Sequence, residues 1–444
     1  MKNSKYLLLL AAMASSPAFA AAEPKTDPKA DLARIAATLD QNYAQLETMY
    51  QDIHSHAEVA MHETRTAALL AAKMRKLGFM VTEKVGTTGV VAIYKNGDGP
   101  TVLVRTELDG LPMEEKTGLP YASHYSQEID GKLTPTMHAC GHDVHMTWWV
   151  ATAQALLAMK DRWHGTLMFV GQPAEETVSG AKVMLADGLF SRFPKPDYGF
   201  AAHVTPDEAG LVTLKEGTIT SASDQVRITF KGKGAHGSMP ANSIDPIVMG
   251  GHFVSDVQTV RSREVDPAKF GVITVGSFHA GTVPNIIPDD AVLQLTLRSH
   301  EPDVRKQLLA GVDKTAKAVA DMAGAPAPQV DYLFGTAAVN NDPKLTESVA
   351  GSIKAAIGDR AVLVPAYVPA DSASEDYSEF VNAGVPSVYM SVGGYTAAAL
   401  AKFKAEGKAT PVNHSPLFAP DPRASIKAGT EALTLAVISI AGRN

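Results

Sequence analysis

Two patterns of hydrophobic residues alternate along residues 22–218. Stretches with apolar residues three and four positions apart predict helices, and short apolar runs bounded by glycine or polar residues predict buried strands. The predicted helices cover residues 31–47, 64–79, 143–161 and 180–189, and the predicted strands lie in residues 89–108, which an Asn-Gly-Asp-Gly turn divides into two strands, and in residues 165–172 and 197–204. This alternation predicts an α/β fold with a largely parallel sheet flanked by helices.

The order of predicted helices and strands changes after residue 218. The predicted elements that follow are a strand at 224–234, a helix at 246–262, strands at 270–281 and 291–300, a helix at 303–324 and a strand at 329–335. This order of strand, helix, strand, strand, helix, strand is typical of a small ferredoxin-like α+β unit. The α/β pattern then returns, with a strand at 386–393 and a closing helix from Pro422. We therefore predict a catalytic domain made of residues 22–218 and 335–444, interrupted by a satellite domain at 219–334.

The N-terminus has the pattern of a signal peptide. Two lysines in "MKNSK" precede the apolar run "YLLLLAAMA" and a small-residue cleavage site near Ala20 or Ala21. The run is shorter than the about 20 residues that a membrane-spanning helix needs, and no later run is expected to be long and apolar enough to cross a membrane. The closing helix is predicted to be a core helix. Residues 1–21 are thus predicted to direct export, to a periplasm or to the outside of the cell.

Composition fits a globular protein of more than one domain. The chain has 444 residues, of which 45% are hydrophobic and 20% charged, so it can bury a large core. A net charge of −7 and the absence of any basic cluster argue against a nucleic-acid partner.

Five side chains suggest a metal site. Thiolate, imidazole and carboxylate groups suit zinc and its neighbours, and such groups occur near predicted strand ends or in loops at Cys140, His142, Glu176, His203 and His414. Five ligands are too many for one tetrahedral zinc that keeps a water, but they fit two metals if one ligand bridges. Each also has a simpler interpretation: a buried thiol for the single cysteine, a core imidazole for His203 and a solvated loop residue for His414. His138 and His145 flank the motif "HACGHDVH" and are expected to support it or to face the helix.

The pair Glu175–Glu176 follows the apolar strand 165–172 in "GQPAEE". One carboxylate can bind metal while its neighbour takes a proton from water, which is the combination that metal-assisted hydrolysis needs. The alternative is a solvated acidic pair in a turn.

Several blocks, in order, carry a family resemblance. They are "YQDIHSHAEVAMHETRTAALLAAKMRKLGF", "RTELDGLPMEEKTGLPYAS", "MHACGHDVHM", "GTLMFVGQPAEE", "KGKGAHGSMPANSIDPI", "GTVPNIIPDDAVLQLTLR" and "SASEDYSEFV". Together they resemble the metal-dependent amidohydrolases of the aminoacylase and carboxypeptidase superfamily. The nearest branch holds hippurate hydrolases, N-acyl-amino-acid amidohydrolases and auxin-conjugate hydrolases.

The resemblance implies roles for individual residues. It implies two divalent metal ions per subunit, zinc or manganese, held by the five ligand candidates, and Glu175 as general acid and base. It implies that His236 of the satellite domain reaches the site of a partner subunit in a homodimer or larger homo-oligomer and stabilises the oxyanion. Asn285 and Arg298 would hold the carboxylate side of the substrate, and Asp109 would support the metal site from outside the ligand set.

Two positions depart from the family pattern: Ala57 stands where proline is common, and Glu107 stands where aspartate is common. Neither removes a ligand, although the extra methylene of Glu107 could change the metal surroundings. The expected function is hydrolysis of the amide bond of N-acyl or N-aroyl amino acids, or of small peptide-like amides with a free carboxylate. The alternatives are a dipeptidase or metallo-carboxypeptidase of the same superfamily, and a binding protein that has lost catalysis.

Overall fold

A computed structural model describes residues 27–442 of the chain. The predicted signal peptide, residues 1–21, lies outside the described residues. The strands are, in chain order, β1 Met80–Val85, β2 Gly89–Asn96, β3 Thr101–Glu107, β4 Ser126–Ile129, β5 Lys132–Pro135, β6 Gly165–Gln172, β7 Tyr198–Glu208, β8 Val212–Lys215, β9 Gly217–Thr218, β10 Ala222–Lys231, β11 Ala235–His236, β12 Gly271–Ala280, β13 Ile286–Ile287, β14 Asp290–Ser299, β15 Gln329–Thr336, β16 Asn340–Asn341, β17 Ala361–Val364 and β18 Ser387–Tyr395.

The helices often begin at an Asp-Pro pair. They are α1 Pro28–His54, α2 Thr64–Lys76, α3 His142–Ala158, α4 Gly180–Ala186, α5 Leu189–Arg192, α6 Pro246–Asp256, α7 Pro302–Met322, α8 Pro343–Ile357, α9 Ser378–Asn382, α10 Ala397–Ala405 and α11 Pro422–Ala441. In α1, α6, α8 and α11 the aspartate side chain accepts hydrogen bonds from the first-turn N–H groups, and proline occupies the first helical position. Both choices favour a helix start, because the first-turn amides have no partner within the helix and proline has no N–H to leave unpaired.

The large sheet has eight strands in the order β1-β2-β6-β3-β7-β18-β8-β17. Its centre is parallel, because β6, β3, β7 and β18 pair in the same direction, and helices cover it. The predicted α/β fold is confirmed. The two strands predicted around the Asn-Gly-Asp-Gly turn both form, but β6 lies between them, so they do not pair with each other.

The small sheet is antiparallel, with the order β12-β14-β10-β15. Helices α6 and α7 pack on it around a core of their own that includes Phe230, Phe253 and Leu293. The strand order and the sequence β10-α6-β12-β14-α7-β15 confirm the ferredoxin-like prediction. The predicted domain boundaries at residues 218 and 334 stay predictions. The predicted helix 246–262 is shorter than expected, since α6 ends at Asp256 and a π-helical turn follows at Val260–Glu264.

Helix α11 is long and apolar enough to cross a membrane by length and composition, so our expectation that no later segment reaches that threshold was wrong. Within the fold, 78% of its apolar window is buried. It packs against α1, α3 and α8, as the prediction of a core helix requires.

Candidate metal centre

The carboxyl ends of the central parallel strands form one edge of the large sheet, and the candidate ligands gather there. Asp109 follows β3, and Glu175 and Glu176 follow β6. His203 lies within β7, which runs to Glu208 and does not end at residue 204 as predicted; the pairing of β7 with β3 stops at Phe200. His203 therefore extends past the end of that pairing, in the place where open α/β sheets bind ligands.

A glycine brings Cys140 and His142 to the same site. Gly141, between them, has φ +90 and precedes the first turn of α3. A Cβ there would lie 2.4 Å from the Val204 side chain, so both the backbone angle and the lack of space require glycine.

The five candidate ligands converge. Cys140 Sγ lies 3.3 Å from His203 Nε2 and 3.3 Å from His414 Nε2. Glu176 lies between two histidines, with Oε2 3.4 Å from His414 Nε2 and Oε1 4.0 Å from His142 Nε2. The ligand atoms form overlapping groups, each within 4.8 Å, that share Cys140, His142 and Glu176. A second carboxylate, that of Glu175, lies 3.9 Å from His142 Nε2.

Backbone carbonyls fix two of the histidines. The Nδ1 atom of His142 lies 2.7 Å from Asp109 O, and that of His203 lies 2.8 Å from Val204 O. Since a carbonyl only accepts, each Nδ1 carries the proton. In the neutral ring, the lone pair on Nε2 then points into the site, which is the usual arrangement of a metal-binding histidine.

His414 is held in place by main-chain contacts. Its φ is +67. Its N–H donates to Ala139 O at 2.8 Å, and the amide of Asn413 donates to the carbonyls of Cys140 and Val204. Its side chain is 56% exposed, whereas the other ligand side chains are largely buried. The site therefore opens to solvent on the side of His414.

The charge of the site fits a cation. Among the described residues, His142 Nε2 and Glu176 Oε1 are buried with no hydrogen-bond partner, which is costly unless something binds them. Burial and the charges of Glu176 and Glu175 raise the pKa of the Cys140 thiol, and burial and the charge of Glu375 raise the pKa of Glu175.

Burial lowers the pKa of the His142 imidazole, but the contact with Asp109 and the charge of Glu107 outweigh it and raise the pKa to about 10. The carboxylates around the site thus favour positive charge at His142 and oppose further negative charge at Cys140 and Glu175, so a divalent metal ion would be electrostatically favoured there. The thiolate, imidazole and carboxylate donors fit such ions.

His145 supports the site without being free to bind a metal. Its Nε2 accepts from Val204 N at 2.9 Å, so its Nδ1 carries the proton that it shares with Glu107 Oε2 at 3.0 Å. Both ring nitrogens are therefore engaged. The other oxygen of Glu107 pairs with the buried guanidinium of Arg105. The longer side chain at position 107 thus joins Arg105 to His145, and His145 in turn fixes the backbone beside His203.

A second acidic group, not predicted from the sequence, lies beside Glu175. Ligand atoms of Glu175, Glu375 and Asp376 lie within 4.8 Å of one another. Arg105 binds Glu375 at 2.8 Å and Asp376 at 3.2 Å, and Tyr389 Oη donates to Glu375 at 2.5 Å. Both acidic residues lie in the block "SASEDYSEFV". Because 270 residues separate Arg105 from Glu375, no local sequence pattern could predict their contact.

The satellite residues lie apart from this centre. His236 is exposed on β11, Asn285 accepts from Gly237 N, and Arg298 on β14 donates to Ser223 Oγ and Thr296 Oγ1. Within the described residues, none of the recorded contacts joins these three to the ligand group, so their assigned roles stay predictions.

Known proteins resemble this chain over most of its length. Residues 103–420 match peptidase family M20/M25/M40. The hippurate hydrolase of Campylobacter jejuni is 36% identical over 62% of this chain and 70% of its own. Thermostable carboxypeptidase 2 of Saccharolobus solfataricus is 32% identical over 77% of this chain and 84% of its own.

A solved structure extends the likeness to three dimensions. The YXEP protein of Bacillus subtilis, a dinuclear metal-binding peptidase of family M20, is 27% identical and superimposes with a TM-score of 0.73. The alignment covers 90% of this chain and 99% of that protein.

Proposed function

Because this chain belongs to peptidase family M20/M25/M40 and is a metal-dependent amide hydrolase, we propose that it cleaves the amide bond of N-acyl or N-aroyl amino acids, using two metal ions and Glu175 as general base. The convergence of Cys140, His142, Glu176, His203 and His414 in overlapping groups of donor atoms, with Glu175 beside His142, carries the proposal. The hippurate hydrolase relative supports the substrate class.

The five convergent side chains would hold the metals, since their donor atoms form overlapping groups whose members lie within 4.8 Å of one another. Zinc and manganese both accept this donor set, and the thiolate favours zinc. Bound there, divalent metals supply Lewis acidity, which polarises the scissile carbonyl and acidifies water.

Glu175 then handles the proton. Its carboxylate accepts a proton from the attacking water while the water oxygen bonds to the carbonyl carbon. The same proton passes to the amine nitrogen as the carbon–nitrogen bond breaks, releasing a carboxylic acid and an amino acid. The raised pKa of Glu175 suits the first half of this exchange, because it makes the carboxylate a stronger base toward the attacking water and lets the carboxyl keep the proton until the amine leaves.

His236 is suited to stabilising an oxyanion in a partner subunit. Ser238 N donates to its Nδ1 at 3.1 Å, so Nε2 carries the proton and can donate it to a negatively charged oxygen. Arg298 and Asn285 would hold the substrate carboxylate, as bidentate and amide donors do elsewhere. Exposed apolar side chains on the satellite, among them Met239 at 58% and Val248 and Ile286 at 55%, support a homodimer through this domain.

We also propose that the protein acts after export, in a periplasm or outside the cell, because residues 1–21 have the charged, apolar and small-residue regions of a signal peptide. Detection of mature protein that begins near residue 21 or 22 in a periplasmic or secreted fraction tests this.

The similarity to thermostable carboxypeptidase 2 favours one alternative, a peptidase with the same chemistry and a different pocket. The deciding experiment strips the purified protein of metal, restores zinc or manganese, and compares hippurate and N-acetyl amino acids with dipeptides. We expect kcat/KM to be at least about tenfold higher for the acyl amino acids, a difference that pocket contacts readily supply. Faster cleavage of the dipeptides would favour the peptidase.

A further inference from the structure

The loop that carries Glu175 has an unusual backbone. Ala174 has φ +52 and Val178 has φ +53, both in the left-handed region although neither is glycine. Such conformations persist only where the surroundings impose them, and they often mark functional sites. The direction of Glu175 thus depends on what fixes the residue before it.

A glutamate from a distant segment holds that residue. Glu63, which precedes α2, is completely buried. Its Oε1 accepts from Ala174 N at 2.8 Å and from Met61 N at 3.0 Å, and its Oε2 accepts from Thr88 Oγ1 at 2.5 Å. Glu63 therefore links the loop to the residues that precede α2 and β2, and it does so at the N–H of Ala174, the residue before Glu175.

The neighbouring ligand has an anchor of its own. Asp109 Oδ2 accepts from Glu176 N at 2.9 Å. The position of Glu176 therefore has its own support. Ala174 N, in contrast, donates to Glu63, a residue outside the loop.

We propose that Glu63 is a positioning residue that sets the direction of Glu175 through the backbone of Ala174, so that it governs turnover and leaves metal binding to Asp109 and the ligands. The inference rests on the proposed role of Glu175. Oε1 keeps both of its acceptor bonds whether or not Oε2 carries a proton, so the role does not depend on titration. It also follows that glutamine can replace Glu63, because an amide keeps one acceptor oxygen and can donate to Thr88 Oγ1.

The test compares Glu63→Leu and Glu63→Gln in the metal-loaded full-length protein, with the acyl amino acid that the wild type hydrolyses fastest. Glu63→Leu should lower kcat by about tenfold to a hundredfold, since small misplacements of catalytic groups have effects of that size, with metal content unchanged and KM within about threefold. Glu63→Gln should recover most of kcat.

Glu58→Leu is the matched control. Glu58 is also a buried glutamate of this segment, but its carboxylate accepts from Arg65 N and Thr66 N at the start of α2 and touches no residue of the Glu175 loop. It should lower the unfolding temperature and leave kcat per folded, metal-loaded chain unchanged. Equal loss of kcat in the Glu58 and Glu63 variants would overturn the proposal, as would wild-type kcat in Glu63→Leu.

Two further variants cover the remaining outcomes. If Glu63→Leu does not fold, Thr88→Val removes one anchor of the carboxylate, and an unchanged kcat in that variant would overturn the proposal. Glu175→Gln is assayed in parallel. If it remains active, the base assignment fails; if it is inactive while Glu63→Leu is fully active, only the positioning role fails.

Discussion

At the scale of single residues, Cys140 shows how surroundings decide chemistry. It is the single cysteine of the chain, and its sulfur contacts imidazole nitrogens of His203 and His414 from two distant segments. Without a cation, burial and the adjacent carboxylates favour the protonated thiol. A bound divalent metal would reverse that preference, because a thiolate bound to a cation loses the repulsion that the carboxylates impose.

Replacing Cys140 by serine should weaken metal binding and activity together. A hydroxyl stays protonated and is a poor ligand compared with a thiolate. The loss of affinity should exceed the roughly tenfold to hundredfold effect of changing a residue that only supports a ligand. Competition with a chelator and metal analysis measure it. Wild-type metal content in the serine variant would return Cys140 to the role of a buried thiol.

The residues of the centre differ in how far a sequence reveals them. Thiol, imidazole and paired carboxylates near strand ends could be picked out by their chemistry, and the structure brings the five candidate ligands together. Arg105, Glu375 and Glu63 could not, since an arginine in a strand and a glutamate before a helix look like ordinary surface charges. Their burial follows from contacts with segments up to 270 residues away.

At the scale of elements, hydrophobic periodicity located most of the helices and strands, and strand β6 matched its predicted limits. The pairing of the strands was harder to predict from the sequence. The turn between β2 and β3 suggested adjacent strands, yet β6 enters between them because a parallel partner for β3 buries both faces of the sheet centre. Helix α8, the edge strand β17 and its neighbour β8 were not predicted; the two strands have only four residues each.

Helices α3 and α11 approach each other so closely that one glycine is required. A Cβ at Gly429 would lie 2.1 Å from a ring atom of Trp148, which is buried and stacks on His145. Gly429→Ala should therefore lower the free energy of unfolding by about 1–3 kcal/mol through overpacking, although alanine favours the helix itself.

Gly351 provides the matched control, because it lies within α8 and a Cβ there would meet nothing within 4 Å. Gly351→Ala should raise the free energy of unfolding by about 0.5–1 kcal/mol, the difference in helix propensity. Chemical denaturation of both variants measures the two effects. A stabilised Gly429→Ala variant would mean that the two helices can move apart at little cost.

At the scale of the whole molecule, the candidate metal ligands lie at one edge of the large sheet, and His236 lies on the satellite domain, which has exposed apolar side chains. The proposed function requires His236 to serve a partner's centre, since in one subunit it lies on a different domain from the ligands. Activity should then depend on the oligomer.

Subunit mixing tests this dependence. His236→Ala and Glu175→Ala homodimers should each be nearly inactive. In a mixed dimer, the subunit that keeps Glu175 faces the partner that keeps His236, so one of the two centres is complete. Random exchange of equal amounts makes about half of the dimers mixed, and recovery should approach roughly a quarter of wild-type activity. No recovery despite demonstrated mixed dimers would mean that His236 acts within its own subunit or only on structure.

In the proposed mechanism, the convergent ligands hold metal while Glu175 moves the proton. The most direct measurement is metal content and turnover, side by side, in Glu175→Gln and the wild type. The variant should bind the same two ions per chain and lose turnover by about a hundredfold to ten-thousandfold, the usual contribution of a general base. Activity within about threefold of wild type, at equal metal content, would show that Glu175 is not the general base.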